Sequence, residues 1–188
     1  MNVKKIWAGL VLLLSGCSTY TLVEPGQVAI CDLYSVKPGI QWSQVDKGDV
    51  RLWTVNGAEL ESIRFISGIR EGVPIMDITN EKHETSFRPD MSETELVDAI
   101  VDAFSLSGAQ QVKARNLRPA AFGGMDGFRF ELDFMNEDGL QKEGIVVGTI
   151  ADEALYLIVY TGAKIHYFPK YSGEFEALVE SIRILKRG

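Results

Sequence analysis

The sequence predicts an α+β fold in which a mainly antiparallel β-sheet is covered by two amphipathic helices. Three observations carry this. Short β-rich runs succeed one another along most of the chain, with turn residues between them. Only two stretches, one opening at Ser92 and one near Ser172, repeat apolar residues at the helical period. Strands and helices do not alternate regularly, so parallel βαβ units are not expected, and helices lying on an antiparallel sheet are the natural arrangement.

The β-rich runs begin at Ile40 to Val45, pass Asp46-Lys47-Gly48 to Val50 to Val55, and continue beyond Asn56-Gly57 as Leu60 to Ile69. Asn56-Gly57 predicts a type I′ hairpin turn, because both central positions of that turn need positive φ. Residues 70 to 91 contain Pro74, Pro89 and the polar stretch TNEKHET, lack sustained periodicity, and predict a long connection. The first helix opens at Ser92, which forms a capping-box pattern with Glu95. Val97, Ile100, Val101 and Phe104 then mark one face, and Ser107-Gly108 supplies the stop.

A strand over Val112 to Phe122 leads through Gly123-Gly124 to a second, in which Phe128, Phe130, Leu132 and Phe134 alternate with Arg129, Glu131 and Asp133. That alternation predicts one buried and one wetter face. NEDG at 136 to 139 turns the chain. Gly144 to Ile150 and Leu155 to Tyr160 are uniformly apolar and read as central strands buried on both sides. The last helix, from near Ser172, carries Phe175, Leu178, Val179 and Ile182 on one stripe.

The chain opens with Lys4 and Lys5, an apolar run of nine residues from Ile6 to Leu14, and then small residues, the order of an export signal. A membrane-spanning helix needs roughly 20 apolar residues, so this run is too short to cross. Leu14-Ser15-Gly16-Cys17 resembles the lipobox of bacterial lipoproteins. The resemblance implies that the Cys17 thiol receives a diacylglycerol and that Cys17 becomes the first mature residue after cleavage. Ser18 differs from the Asp that signals inner-membrane retention in that family, which favours the periplasmic face of the outer membrane. The expected organisation is a signal peptide over 1–16, a lipid anchor and tether over 17–39, part of which can dock through Val28 to Cys31 and Leu33-Tyr34, and one α+β domain over 40–188.

The net charge of the chain is −7, and loss of Lys4 and Lys5 with the signal peptide makes it −9. Such an acidic domain has no electrostatic attraction for nucleic acid. With 46% hydrophobic residues, the remaining length suits one globular core. Cys31 has no second cysteine to pair with once Cys17 is lipidated, and reads as a small apolar residue.

Catalytic signatures are not expected from this sequence. There is no G-x-S-x-G elbow or S-x-x-K, and His83 and His166 sit in no recognised setting. Glu81, His83 and Glu84 offer metal-competent side chains, but Phe87 stands where HExxH needs its second histidine, and a solvated loop is the plainer reading. Gly123-Gly124 with Gly127 precedes a strand where a nucleotide-binding glycine motif precedes a helix. No cofactor or metal is expected. The candidate contact surface is HYFPKYSG, where Tyr167, Phe168, Lys170 and Tyr171 cluster around Pro169. The competing role for these aromatics is to fasten the last helix to the sheet, as core packing is the competing role for Trp42 and Trp53.

The order running from FGGMDGFRFELDF through QKEGIVVGTIADEALYLIVYTG to YFPKYSGEFEALVESIRIL resembles the second half of proteins with the PsbP/Mog1 fold, over roughly residues 90 to 185. Members of that fold include photosystem accessory proteins, a Ran-binding protein and bacterial lipoproteins, so the fold alone does not fix a function. The expectation is a membrane-anchored envelope lipoprotein that acts as a non-enzymatic binding or accessory module for an envelope protein or a small ligand. The alternatives are an envelope hydrolase or metal-dependent enzyme whose site is scattered in sequence, and a structural subunit of an envelope assembly.

Overall fold

A computed structural model of the chain describes residues 20–47, 50–76 and 86–185. Its elements, in order, are β1 (Thr21–Val23), β2 (Val28–Ala29), β3 (Tyr34–Val36), β4 (Trp42–Lys47), β5 (Val50–Thr54), β6 (Glu61–Ile69), α1 (Glu93–Leu106), β7 (Gln110–Phe122), β8 (Met125–Met135), β9 (Gln141–Ala151), β10 (Ala154–Ala163), α2 (Tyr167–Glu180) and β11 (Arg183–Ile184). Eight strands form one antiparallel sheet in the order β1-β4-β5-β6-β10-β9-β8-β7, and β11-β3-β2 form a small second sheet. The α+β class expected from the sequence is the one observed.

Two apolar layers sandwich the large sheet. On one face Leu96, Ile100 and Phe104 of α1 meet Phe128, Phe130, Leu132 and Phe134 of β8, the four residues whose alternation marks the buried side. On the other, Tyr171, Phe175 and Leu178 of α2 and Tyr34 and Val36 of β3 pack on Trp53, Phe65, Ile158 and Tyr160. Strand β10 supplies both layers, with Leu155, Leu157 and Val159 pointing to α1 and Tyr156, Ile158 and Tyr160 to α2. This explains why its sequence is apolar without alternation. The α1 cap forms as the sequence predicts, with the Ser92 hydroxyl accepting from the Glu95 amide and the Glu95 carboxylate accepting from the Ser92 amide.

Three local expectations differ from the structure. Residues 20–39, which the sequence placed ahead of the domain as a tether able to dock in part, contribute β1 to the large sheet, where Val23 pairs with Trp42, and β2 and β3 to the small one. Val23, Ile30, Leu33, Tyr34 and Val36 are buried, so the folded unit takes in chain ahead of Ile40. Each apolar patch there is too short to show a period, and burial against the sheet is what orders it.

The second difference is the turn at Asn56-Gly57. β5 and β6 do pair as a hairpin, Trp53 opposite Ile63, but residues 55–60 connect them, and Gly57 (φ 109°) has positive φ whereas Asn56 does not. The type I′ pattern of two positive-φ residues occurs instead at Gly123-Gly124 (φ 61° and 93°) and at Asp152-Glu153 (φ 50° and 59°). A glutamate in the left-handed region is strained relative to glycine. Glu153→Gly is therefore expected to raise stability by about 1 kcal/mol, a shift of roughly 2–4 °C in Tm. Thermal denaturation checks this, and an unchanged or lower Tm would show that the turn carries no such strain.

The third difference is the start of α2, at Tyr167 instead of near Ser172. Pro169 is accommodated in the first turn, where backbone N–H groups lack helical acceptors. Gly162 on β10 admits that turn closely: a side chain there would meet the backbone N and Cα of Phe168 at 2.8 Å. The Tyr160 hydroxyl is held beneath it, 3.0 and 2.8 Å from the carbonyls of Tyr167 and Phe168.

Candidate functional site

The α1-facing side of the large sheet is apolar beneath the helix and turns polar where the helix stops. Strand register sets out that end: Ser62 of β6 pairs with Thr161 of β10, Thr161 with Gly144 of β9, and Lys142 of β9 with Phe134 of β8. Side chains two apart on a strand share a face, so Arg64, Thr161, Lys142 and Phe134 all point to the α1 side. The end of α1, from Phe104 to Ala109, and the turn Asn136 to Asp138 close around them to form a cleft of about 450 Å³.

The cleft has a cationic floor. Lys142 is 5% exposed, and its ammonium donates to one backbone oxygen, that of Glu59 at 3.0 Å. The side chain of half-buried Arg64 forms neither a hydrogen bond nor an ion pair with another described residue. Burial pushes the Lys142 pKa below its ordinary value, the neighbouring Arg64 charge pushes the same way, and Glu59 and Glu61 oppose it. Arg64 is also lowered, by burial, with Glu59 opposing. Glu59, Glu137 and Asp138 are exposed at the rim, while Phe104, Phe134 and Met76 provide apolar wall.

Four other cations of the fold are matched by acids. Arg115 pairs with Glu131 and Asp133, Lys164 with Glu143 at 3.0 Å, and Arg51 with Asp46 at 3.3 Å. Arg129 beneath α2 is clamped by Glu176. Arg51 lines a smaller cavity of about 240 Å³ beside Ser67 and the half-buried free thiol of Cys31, but its donors are taken by Asp46 and the Ala29 carbonyl.

The aromatic cluster expected as a contact surface lies on α2, across the sheet from this cleft. Tyr171 is buried, its ring 5.9 Å from that of Trp42 and its hydroxyl accepting from Asn56 Nδ2 at 2.7 Å. Phe168 is half-buried and stacks on Tyr160 at 5.3 Å. Tyr167 is half-buried, and Lys170 is exposed with its ammonium 5.0 Å from the Tyr171 ring centre. These side chains are thus brought together, with Tyr171 and Phe168 engaged in fastening α2. Trp42 and Trp53 are both core residues. His166 is exposed at the α2 N-terminus.

Cys17, Glu81, His83 and Glu84 lie outside the described residues. Among the described residues no group of three or more His, Cys, Asp and Glu is placed to hold a metal ion. Sequence reasoning passed over Arg64 and Lys142. The available signal was an arginine inside the apolar run ESIRFISGI and a lysine just ahead of the expected central strand Gly144 to Ile150, in settings where an ionised side chain is rare.

No family model matches the chain, and no curated protein matches it. Among solved structures the chain is similar to CyanoP, the cyanobacterial PsbP of Synechocystis sp. PCC 6803, with a TM-score of 0.57 at 14% identity over 92% of this chain and 96% of that one. It also aligns with LpqN, a protein involved in cell envelope biogenesis of Mycobacterium tuberculosis, with a TM-score of 0.39 at 8% identity over 92% and 88% of the two chains. The first likeness establishes a PsbP-like fold, and it spans far more of the chain than residues 90 to 185. The second carries no argument about this protein.

Proposed function

We propose that this PsbP-like chain is a non-catalytic binding module of the bacterial cell envelope, held to a membrane by lipid at Cys17. The observation that carries a binding role is the cleft at the end of α1. Its volume, about 450 Å³, falls within the range of small-ligand sites, and helix and strand ends build it.

The anchor rests on the basic start, the apolar run and Leu14-Ser15-Gly16-Cys17. The docking of β1 adds a consequence for that reading. Only three peptide links separate Cys17 from Tyr20, so at full extension the anchor reaches about 10 Å and the β1 edge rides close to the bilayer. Tyr20 and Leu22 at that edge are 51% and 59% exposed, a composition suited to an interfacial contact. Ser18 supports the outer membrane as the destination.

Cys17→Ser is expected to move the exported protein from the membrane fraction to the soluble periplasm while leaving its melting curve unchanged, because Cys17 stands ahead of β1 in the sequence. Fractionation decides this. A Cys17→Ser protein that sediments with membranes like the wild type would overturn the lipid anchor.

A further inference from the structure

We infer that the cleft at the end of α1 binds a small oxyanion, a carboxylate or phosphate monoester carried on an apolar body, with Lys142 and Arg64 holding the charged head. This rests on the binding-module reading and gives it a ligand chemistry. Lys142 has three N–H donors and places one, on the Glu59 carbonyl; Arg64 has five and places none on a described residue. Burial of a cation is costly, and although Glu59 and Glu61 act on these two through space, neither forms an ion pair with them, whereas Arg51, Arg115, Arg129 and Lys164 do have acids in contact. Among the described residues no acid contacts either cation, so the ligand group that suits this floor is an anion.

The surroundings restrict which anion. Arg64 and Lys142 sit diagonally on either side of Thr161, which also lines the cleft, so the two cations face one floor across a single residue. Phe104, Phe134 and Met76 beside this floor would leave an inorganic ion with an uncovered apolar wall, and an apolar body on the ligand covers it. Glu59, Glu137 and Asp138 at the rim repel a second anionic group outside the floor, which selects a single-headed ligand over a polyanion. The two cations also lie at the carbonyl end of α1, whose last turn has no basic residue of its own. A role confined to that helix end predicts no ligand.

The test is calorimetric titration of the full chain, in neutral detergent, with phenyl phosphate, benzoate, benzamide and inorganic phosphate, alongside Arg64→Gln, Arg64→Lys, Lys142→Gln and the distant control Lys170→Gln. The expected result is saturable binding of phenyl phosphate or benzoate, each at least about tenfold tighter than benzamide or inorganic phosphate. The preferred head identifies the ligand as a phosphate ester or a carboxylate. Arg64→Gln and Lys142→Gln should each weaken binding about tenfold or more, Arg64→Lys should retain most of it, and Lys170→Gln should match wild type. Should Lys142→Gln fold poorly, the Arg64 pair decides alone. Benzamide binding as tightly as benzoate, or oxyanion binding indifferent to the Arg64 and Lys142 variants, overturns the inference while leaving a binding module. No binding of any probe at millimolar concentration, with Lys142→Gln merely lowering the melting temperature, removes both the anion site and the ligand-binding reading.

Discussion

Replacing Glu61 by alanine is expected to cost about 2–4 kcal/mol of folding stability, read as a fall in denaturation midpoint at unchanged m-value. The Glu61 carboxylate is fully buried and accepts from the backbone amides of Val55 and Asn56, both at 2.7 Å, from the Thr54 hydroxyl at 3.1 Å and from Asn56 Nδ2 at 3.3 Å. The loop from 55 to 60 closes around this side chain as well as through a backbone turn, in which the amides of Leu60 and Glu61 donate to the Gly57 carbonyl. Alanine would strand those donors, and water entering from the exposed side of the loop would recover part of the loss, which sets the lower bound. Asn56 also donates to Tyr171, so the same substitution should loosen the first turns of α2. A loss below about 1 kcal/mol would mean that the loop holds its shape without the carboxylate.

Trp53→Ala is expected to be the most damaging single truncation, at about 3–5 kcal/mol. The Trp53 side chain has no solvent exposure, meets Phe65 edge-on at a ring separation of 4.7 Å, and lies 6.5 Å from Trp42. Its indole N–H donates to Gln44 at 2.9 Å across the β4–β5 pair, so the ring fills volume and ties two strands together. Trp53→Phe, which restores most of the volume without the N–H, should lose distinctly less. Chemical denaturation of both variants tests this. Equal losses would assign the effect to the hydrogen bond, and a small loss in Trp53→Ala would return the tryptophans to consideration as a ligand surface.

The parts of this protein legible in its sequence are those set by near neighbours in the chain. The Ser92–Glu95 box is a contact across three residues and starts α1 where expected. The alternation of Phe128, Phe130, Leu132 and Phe134 follows from the strand's two-residue period, and the apolar runs of β9 and β10 follow from burial on both faces. Together these settle the α+β class, two helices and the central strands.

What only the tertiary structure decided depends on contacts between different elements, which no local period or motif records. Asn56-Gly57 has the composition of a tight hairpin, yet the buried carboxylate of Glu61 captures the amides of Val55 and Asn56, and a local propensity of a fraction of a kcal/mol yields to several buried hydrogen bonds. The first turn of α2 forms because Gly162 and Tyr160 on another element receive it. Residues 20–39 become part of the fold because β4 and β11 offer edges to pair with. The cleft is the strongest case. Arg64 and Lys142 each look like an isolated charge on its own strand, and the order β6-β10-β9 places them on one floor at the point where α1 stops covering it. Periodicity can say which face of a strand a charge takes, but which other charge shares that face is fixed by strand order, and strand order is a property of the folded sheet.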